Sequence, residues 1–210
     1  MRTAIALLVG VEAVVAAAGQ TRLAVFMGGN RVGTATITET KTSDAGIQSQ
    51  MRLEMKAAGA AVEIIQIGEY SKDGTPRRKY IRQSSPQGLE MKVVTFQGTT
   101  AHLVHEVGGT RVTKSYPAPA GANIKAKSEL WFHGVTPKQG ETDEYHRFDM
   151  NRMEWQKVVV RYVGPGVVEV RGAKRPCHIV TLGSDMKVFL SDDGLPLRIE
   201  SPGVVMEVEE

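Results

Sequence analysis

From Arg22 onward, apolar and polar side chains alternate with a period of two, the spacing that gives a β-strand one dry face and one wet face. Met51, Leu53 and Met55 alternate with Gln50, Arg52, Glu54 and Lys56. Leu89, Met91 and Val93 oppose Glu90 and Lys92; Leu197 and Ile199 oppose Arg198 and Glu200; Val204, Met206 and Val208 oppose Glu207 and Glu209. Turn formers separate these runs at short intervals: Gly28, Gly29 and Asn30, then Asp44, Ala45 and Gly46, then Asp73 and Gly74, Gly108 and Gly109, Asp193 and Gly194. Asp, Asn and Gly tolerate the positive φ of tight hairpin turns, so consecutive hairpins and an antiparallel meander are expected.

The strand pattern breaks in the middle. Tyr116 to Asn123 holds Pro117, Pro119 and Gly121, cannot continue a ladder, and reads as a crossover loop. Ile124 to Phe132 comes next as the best helical candidate, with Ala126, Leu130 and Trp131 toward one side, ended by Thr136 and Pro137. A twisted sheet with one dry face needs a cover, and a short helix laid across it supplies one. If that cover is too small, the dry face becomes a cavity. The methionines Met51, Met55, Met91 and Met206 fall on the apolar side of their strands, where flexible thioethers either fill an irregular core or line a surface that accepts varied apolar ligands.

Composition narrows the partners. The 210 residues, 41% hydrophobic and 23% charged, suit one domain folding in water. Net charge is only +3 and aromatic content 6%, and the basic residues are scattered apart from Arg77, Arg78 and Lys79, so nucleic-acid binding is not expected. Met1 and Arg2, the apolar run from Ala4 to Val11, and the small residues Ala16, Ala17 and Ala18 before Gly19 read as a secretory signal. Glu12 departs from that pattern, since desolvating a carboxylate there is unfavourable. The division expected is residues 1–18 as signal peptide and 19–210 as one β half-barrel domain, periplasmic or secreted. No second apolar run approaches the roughly 18 residues a spanning helix needs, so a membrane-spanning chain is not expected.

Little points to catalysis. The single cysteine, Cys177, has no internal disulfide partner, and its surroundings Pro176, His178, Ile179 and Val180 favour a buried small hydrophobe over a nucleophile. Cys177 and His178 are adjacent, and adjacent strand residues point to opposite faces, which precludes a direct dyad. None of His102, His105, His133, His146 and His178 stands in a metal-ligand spacing, so no metal and no cofactor is expected. Asp192 and Asp193 lack the alternating oxygen ligands of an EF-hand, and Gly98 to Gly109 lacks the lysine of a phosphate loop. Ser71 to Pro76 and Ser191 to Pro196 share the order Ser, any, Asp, Gly, any, Pro, through convergence on good hairpin chemistry or through duplication.

The order Leu130, Trp131, Phe132, then Pro137 to Glu141, Tyr145 to Asp149, Cys177 to Val180, and Val188 to Glu200 resembles an uncharacterised bacterial envelope family of exported β proteins. That family is similar in fold to the periplasmic lipoprotein carrier and its outer-membrane receptor, whose curved antiparallel sheet forms an incomplete barrel lidded by helices. The resemblance implies a half-barrel that binds an apolar ligand such as an acyl chain, or an envelope protein. The expectation is therefore a mainly β protein, a curved antiparallel sheet of consecutive hairpins with a short covering helix, without enzymatic activity. Met51, Leu53, Met55, Leu89, Met91, Trp131 and Met206 are its candidate ligand-binding residues. The alternatives are a module pairing with a partner through an open sheet edge, and a cysteine-dependent hydrolase.

Overall fold

The glycine turns set the architecture. Gly108 and Gly109, at φ 57° and 78°, take the paired left-handed conformation that closes a tight hairpin without splaying its strands. Repetition of such turns produces the strands β1 (Gly19–Met27), β2 (Asn30–Lys41), β3 (Ile47–Ala57), β4 (Ala60–Tyr70), β5 (Pro76–Ser85), β6 (Gly88–Gln97), β7 (Thr100–Val107) and β8 (Thr110–Pro117). After a strap come β9 (Thr142–Asp149), β10 (Glu154–Val170), β11 (Ala173–Leu182), β12 (Met186–Leu190), β13 (Pro196–Ser201) and β14 (Val204–Val208). This is a computed structural model, and it describes residues 19–44, 46–57, 59–133 and 136–209; the expected signal peptide lies outside the described residues.

All 14 strands join one antiparallel sheet in the order β8-β7-β6-β5-β4-β3-β2-β1-β14-β13-β12-β11-β10-β9. Strands adjacent in sequence pair throughout except β8 and β9, and the pairing of β1 with β14 joins the two meanders. The sheet therefore has two edges, β8 and β9. They approach without pairing: the Trp155 indole on β10 donates to the Tyr116 carbonyl on β8 at 2.9 Å, and the Tyr116 and Phe148 rings meet at 5.1 Å. The result is an incomplete barrel whose concave face holds one large core, including Leu23, Leu53, Ile64, Phe148 and Ile199, all at most 1% exposed.

The two similar turns have the same geometry. Ser71 N–H donates to the Thr75 carbonyl and Ser191 N–H to that of Leu195, at 2.9 and 2.8 Å, and each turn ends in a bulge that sets a proline opposite the preceding strand. β10 carries another irregularity. Its bulge between Tyr162 and Gly164 reverses the facing of the residues beyond it, and Val168 and Val170 join Cys177, Phe189 and Leu197 in a second small core outside the sheet.

The expected helix over Ile124 to Phe132 is replaced by a single 3-10 turn, Lys127–Leu130. Nine residues are too few to nucleate a helix unaided, and here the backbone donors are drawn elsewhere. Ala126 N–H binds the Gly74 carbonyl at 2.9 Å and Ser128 N–H binds Asp143 Oδ2 at 2.7 Å. Residues 118–133 and 136–141 thus form a strap across the barrel, held point by point.

Candidate functional site

Strand pairing decides which candidate residues meet. On β3, Met51, Leu53 and Met55 stand opposite Ile37, Ala35 and Gly33 of β2 and face the core at 4%, 0% and 4% exposure. Met206 of β14 and Trp131 of the strap enter the same cluster. The four strand residues face the core as their alternation implied, and Trp131 joins the same cluster from the strap.

Leu89 and Met91 do not join them. On β6 the buried residues are Lys92 and Val94, opposite His105 and Leu103 of β7, so Leu89 and Met91 lie on the convex face, and Leu89 is 52% exposed. Alternation alone is indifferent to which face is inside. Placing Val94 and Phe96 against the core fixes the choice and carries Glu90 and Lys92 inward with them. Their charges are matched there: Glu90 Oε1 is 2.9 Å from Lys92 Nζ and 2.8 Å from His105 Nε2. Despite partial burial, these two partners hold the Glu90 carboxyl below its ordinary range.

The strap delivers three consecutive side chains to three places. Trp131 enters the core, Phe132 lies over Tyr162 and His178 with ring centroids at 5.8 and 5.0 Å, and His133 Nε2 meets Glu39 Oε2 at 2.8 Å. Phe132 reaches this position at φ 64°, a conformation that costs a residue with a side chain about 1–3 kcal/mol and must be held by its surroundings. Further out, Lys125 Nζ binds Asp73 Oδ2 at 2.6 Å. That ammonium, with the Ser71 hydroxyl, keeps the Asp73 carboxyl well below the usual carboxylate range.

Tyr162, His178 and Asp192 form a hydrogen-bonded row. The Tyr162 hydroxyl lies 2.7 Å from His178 Nδ1, and His178 Nε2 lies 3.3 Å from Asp192 Oδ1. Burial pushes the Tyr162 phenol up. The row lies under the Phe132 ring, and which group donates between Tyr162 and His178 follows the imidazole tautomer. Cys177 faces the other way, buried in the outer core, and its thiol is likewise pushed up by burial. Among the described residues, no group of three or more His, Cys, Asp or Glu side chains is placed to hold a metal ion.

Sequence reasoning missed the Glu39–His133 pair and the Tyr162–His178 contact. No local signal announces either, since each joins segments far apart in the chain. Voids in the described structure are unevenly placed. Beside Tyr70, Phe96, Tyr145 and Trp155 the interior leaves only about 10 Å³, while depressions of about 420 and 600 Å³ lie outside, near Phe26 and Val205 and near Val167 and Arg198.

This geometry has a counterpart among solved structures. The chain is similar to a β-barrel-like protein of the domain of unknown function DUF1849 from Brucella abortus, at a TM-score of 0.55 and 8% identity over 93% of this chain and 96% of that one. It also matches a DUF1089 family protein from Pseudomonas aeruginosa at a TM-score of 0.40 and 15% identity, over 80% of this chain and 89% of that one. The first likeness establishes a shared β-barrel-like fold. No protein-family model matches the sequence, and no curated protein matches it.

Proposed function

We propose that this protein is an exported, non-enzymatic envelope binder whose concave face receives a lipid-like or apolar ligand when the strap lifts. One observation carries the reading. The apolar wall bearing Met51, Leu53 and Met55 shares its core with a strap segment that pairs with no strand in a ladder and is held by separate contacts at Gly74, Asp73, Asp143 and Glu39. A cover attached at points can leave without breaking the sheet, and an acyl chain can replace Trp131 and Leu130 against the same side chains. The burial of Cys177 on the face opposite His178 favours a binder over a thiol hydrolase.

Native mass spectrometry of protein purified from its own envelope tests this. A retained amphiphile, with faster uptake of a fluorescent fatty acid by Trp131→Leu, is the expected result. Bare protein that takes up no probe in either form would contradict it.

A second reading is favoured by the contrast between the two edges. The β9 edge is covered, because the Asn123 carbonyl accepts from His146 N–H at 2.6 Å while its side chain donates to the Glu144 carbonyl at 2.9 Å. On β8, Thr110 to Ser115 are exposed on both faces. An extended segment of an envelope protein could add there as a further strand. A proline at Thr113, which lies on the convex face of β8, would abolish such pairing and leave ligand uptake unchanged.

A further inference from the structure

The concave face is not apolar throughout. On β6, β7 and β8 the inward positions include Lys92, His105 and Lys114: Lys92 stands directly opposite His105, and Lys114 lies diagonally across from it, since His105 pairs with Val112. Lys92 is 8% exposed, and lysines are rarely buried so deeply without a partner. Its described partner is Glu90, whose same oxygen also serves His105. Lys114 extends over the Tyr116 ring, 5.0 Å from its centroid, with no carboxylate among its described contacts. Lys92 and His105 therefore share one carboxylate, and Lys114 on the next strand brings a further cation to the same face.

Directly beside this cluster the concave face is open. Val107 and Val112 are 48% and 53% exposed, on the same face as His105 and Lys114 and two of the most exposed large apolar side chains described. A cationic group of side chains bordered by bare valines matches a molecule with a negative head and an apolar tail. We infer, building on the concave-face binding proposed above, that the ligand is an anionic amphiphile. Its carboxylate or phosphate head lies among Lys92, His105 and Lys114, and its chain runs along Val107 and Val112. Glu90 is then the internal counter-ion that keeps the site neutral when empty and competes with the ligand's head. The convex residues Leu89 and Met91 take no part.

Calorimetric titration with dodecanoate, dodecanol and acetate separates the contributions of head and tail. Dodecanoate binds about tenfold more tightly than dodecanol, the size expected for charge-assisted contacts, and acetate binds far more weakly than either. Lys114→Gln, an exposed position that does not endanger folding, and Lys92→Met each remove most of the preference for dodecanoate over dodecanol. Glu90→Gln increases it. Equal affinity for dodecanoate and dodecanol overturns the anionic assignment and leaves the binder standing. Acetate binding as tight as dodecanoate overturns the amphiphile in favour of a small-anion site. A preference for dodecanoate that survives in both lysine variants overturns the location. Failure of both dodecanoate and dodecanol to bind overturns the binder itself.

Discussion

Strands β1 to β4 and strands β5 to β8 are both four-strand antiparallel meanders of one sheet, yet their concave faces are closed to different extents. Along one cross-strand row, Thr21, Ile37, Met51 and Gln66 continue into Ile81, Lys92, His105 and Val112. The first half meets the strap and is sealed. In the second half the strap touches only the end nearest it, where Ala118 N–H donates to the Thr99 carbonyl at 2.8 Å. The far end keeps Glu90, Lys92 and His105 inward beside the exposed Val107 and Val112. Burial of apolar surface is what stabilises a fold, so the first half should dominate stability, and the second is free to serve recognition.

Trp131→Ala removes a large buried ring from the sealed half, and unfolding in denaturant should show a loss of about 3–5 kcal/mol. Leu53→Ala, at a fully buried position of the same wall, should cost about 2–5 kcal/mol, with a change in the midpoint and not in the slope. A loss under about 1 kcal/mol at both sites would mean that the strap half is not the stability core.

The strap anchor at Asp73 gives a smaller and pH-dependent effect. Because Lys125 holds this carboxyl well below its ordinary range, the anchor is at full strength above that range and weakens as pH falls through it toward the lowered value. Asp73→Asn should cost on the order of 0.5 kcal/mol at neutral pH, as exposed pairs do, and should flatten the acid limb of the stability profile. An unchanged acid limb would remove Asp73 from the strap's attachment. Lys114→Gln and Leu89→Ser should leave stability within about 0.5 kcal/mol of the parent, one on the open concave half and the other on the convex face.

The strands were legible because alternation and turn chemistry act locally. Met51, Leu53 and Met55 point inward because their polar neighbours must point outward, and Gly108 and Gly109 fold as a glycine pair between two strands should. The facing of Leu89 and Met91 was not legible. Alternating residues name two faces without saying which is inside, and on β6 the decision is made by Val94 and Phe96 packing against the distant core, with Glu90 satisfying Lys92 after the fact. The helix over Ile124 to Phe132 failed for a similar reason. Ala126 and Leu130 have the propensity, but the Gly74 carbonyl, brought near only by the folded sheet, takes the Ala126 donor. The Glu39–His133 pair likewise exists only once the strap is laid down.

On the function proposed here, the strap is a cover that can leave an intact sheet. Native-state hydrogen exchange measures this directly, comparing the Ala126 amide, bound to the Gly74 carbonyl, with the Leu53 and Ile64 amides of the β3–β4 region. Ala126 is expected to exchange through a separate, lower-energy opening that dodecanoate or a resident ligand alters, while the β3 and β4 amides exchange only on global unfolding. Ala126 exchanging in step with Leu53 and Ile64 at every denaturant concentration would contradict it, and the strap would then be an inseparable part of the core.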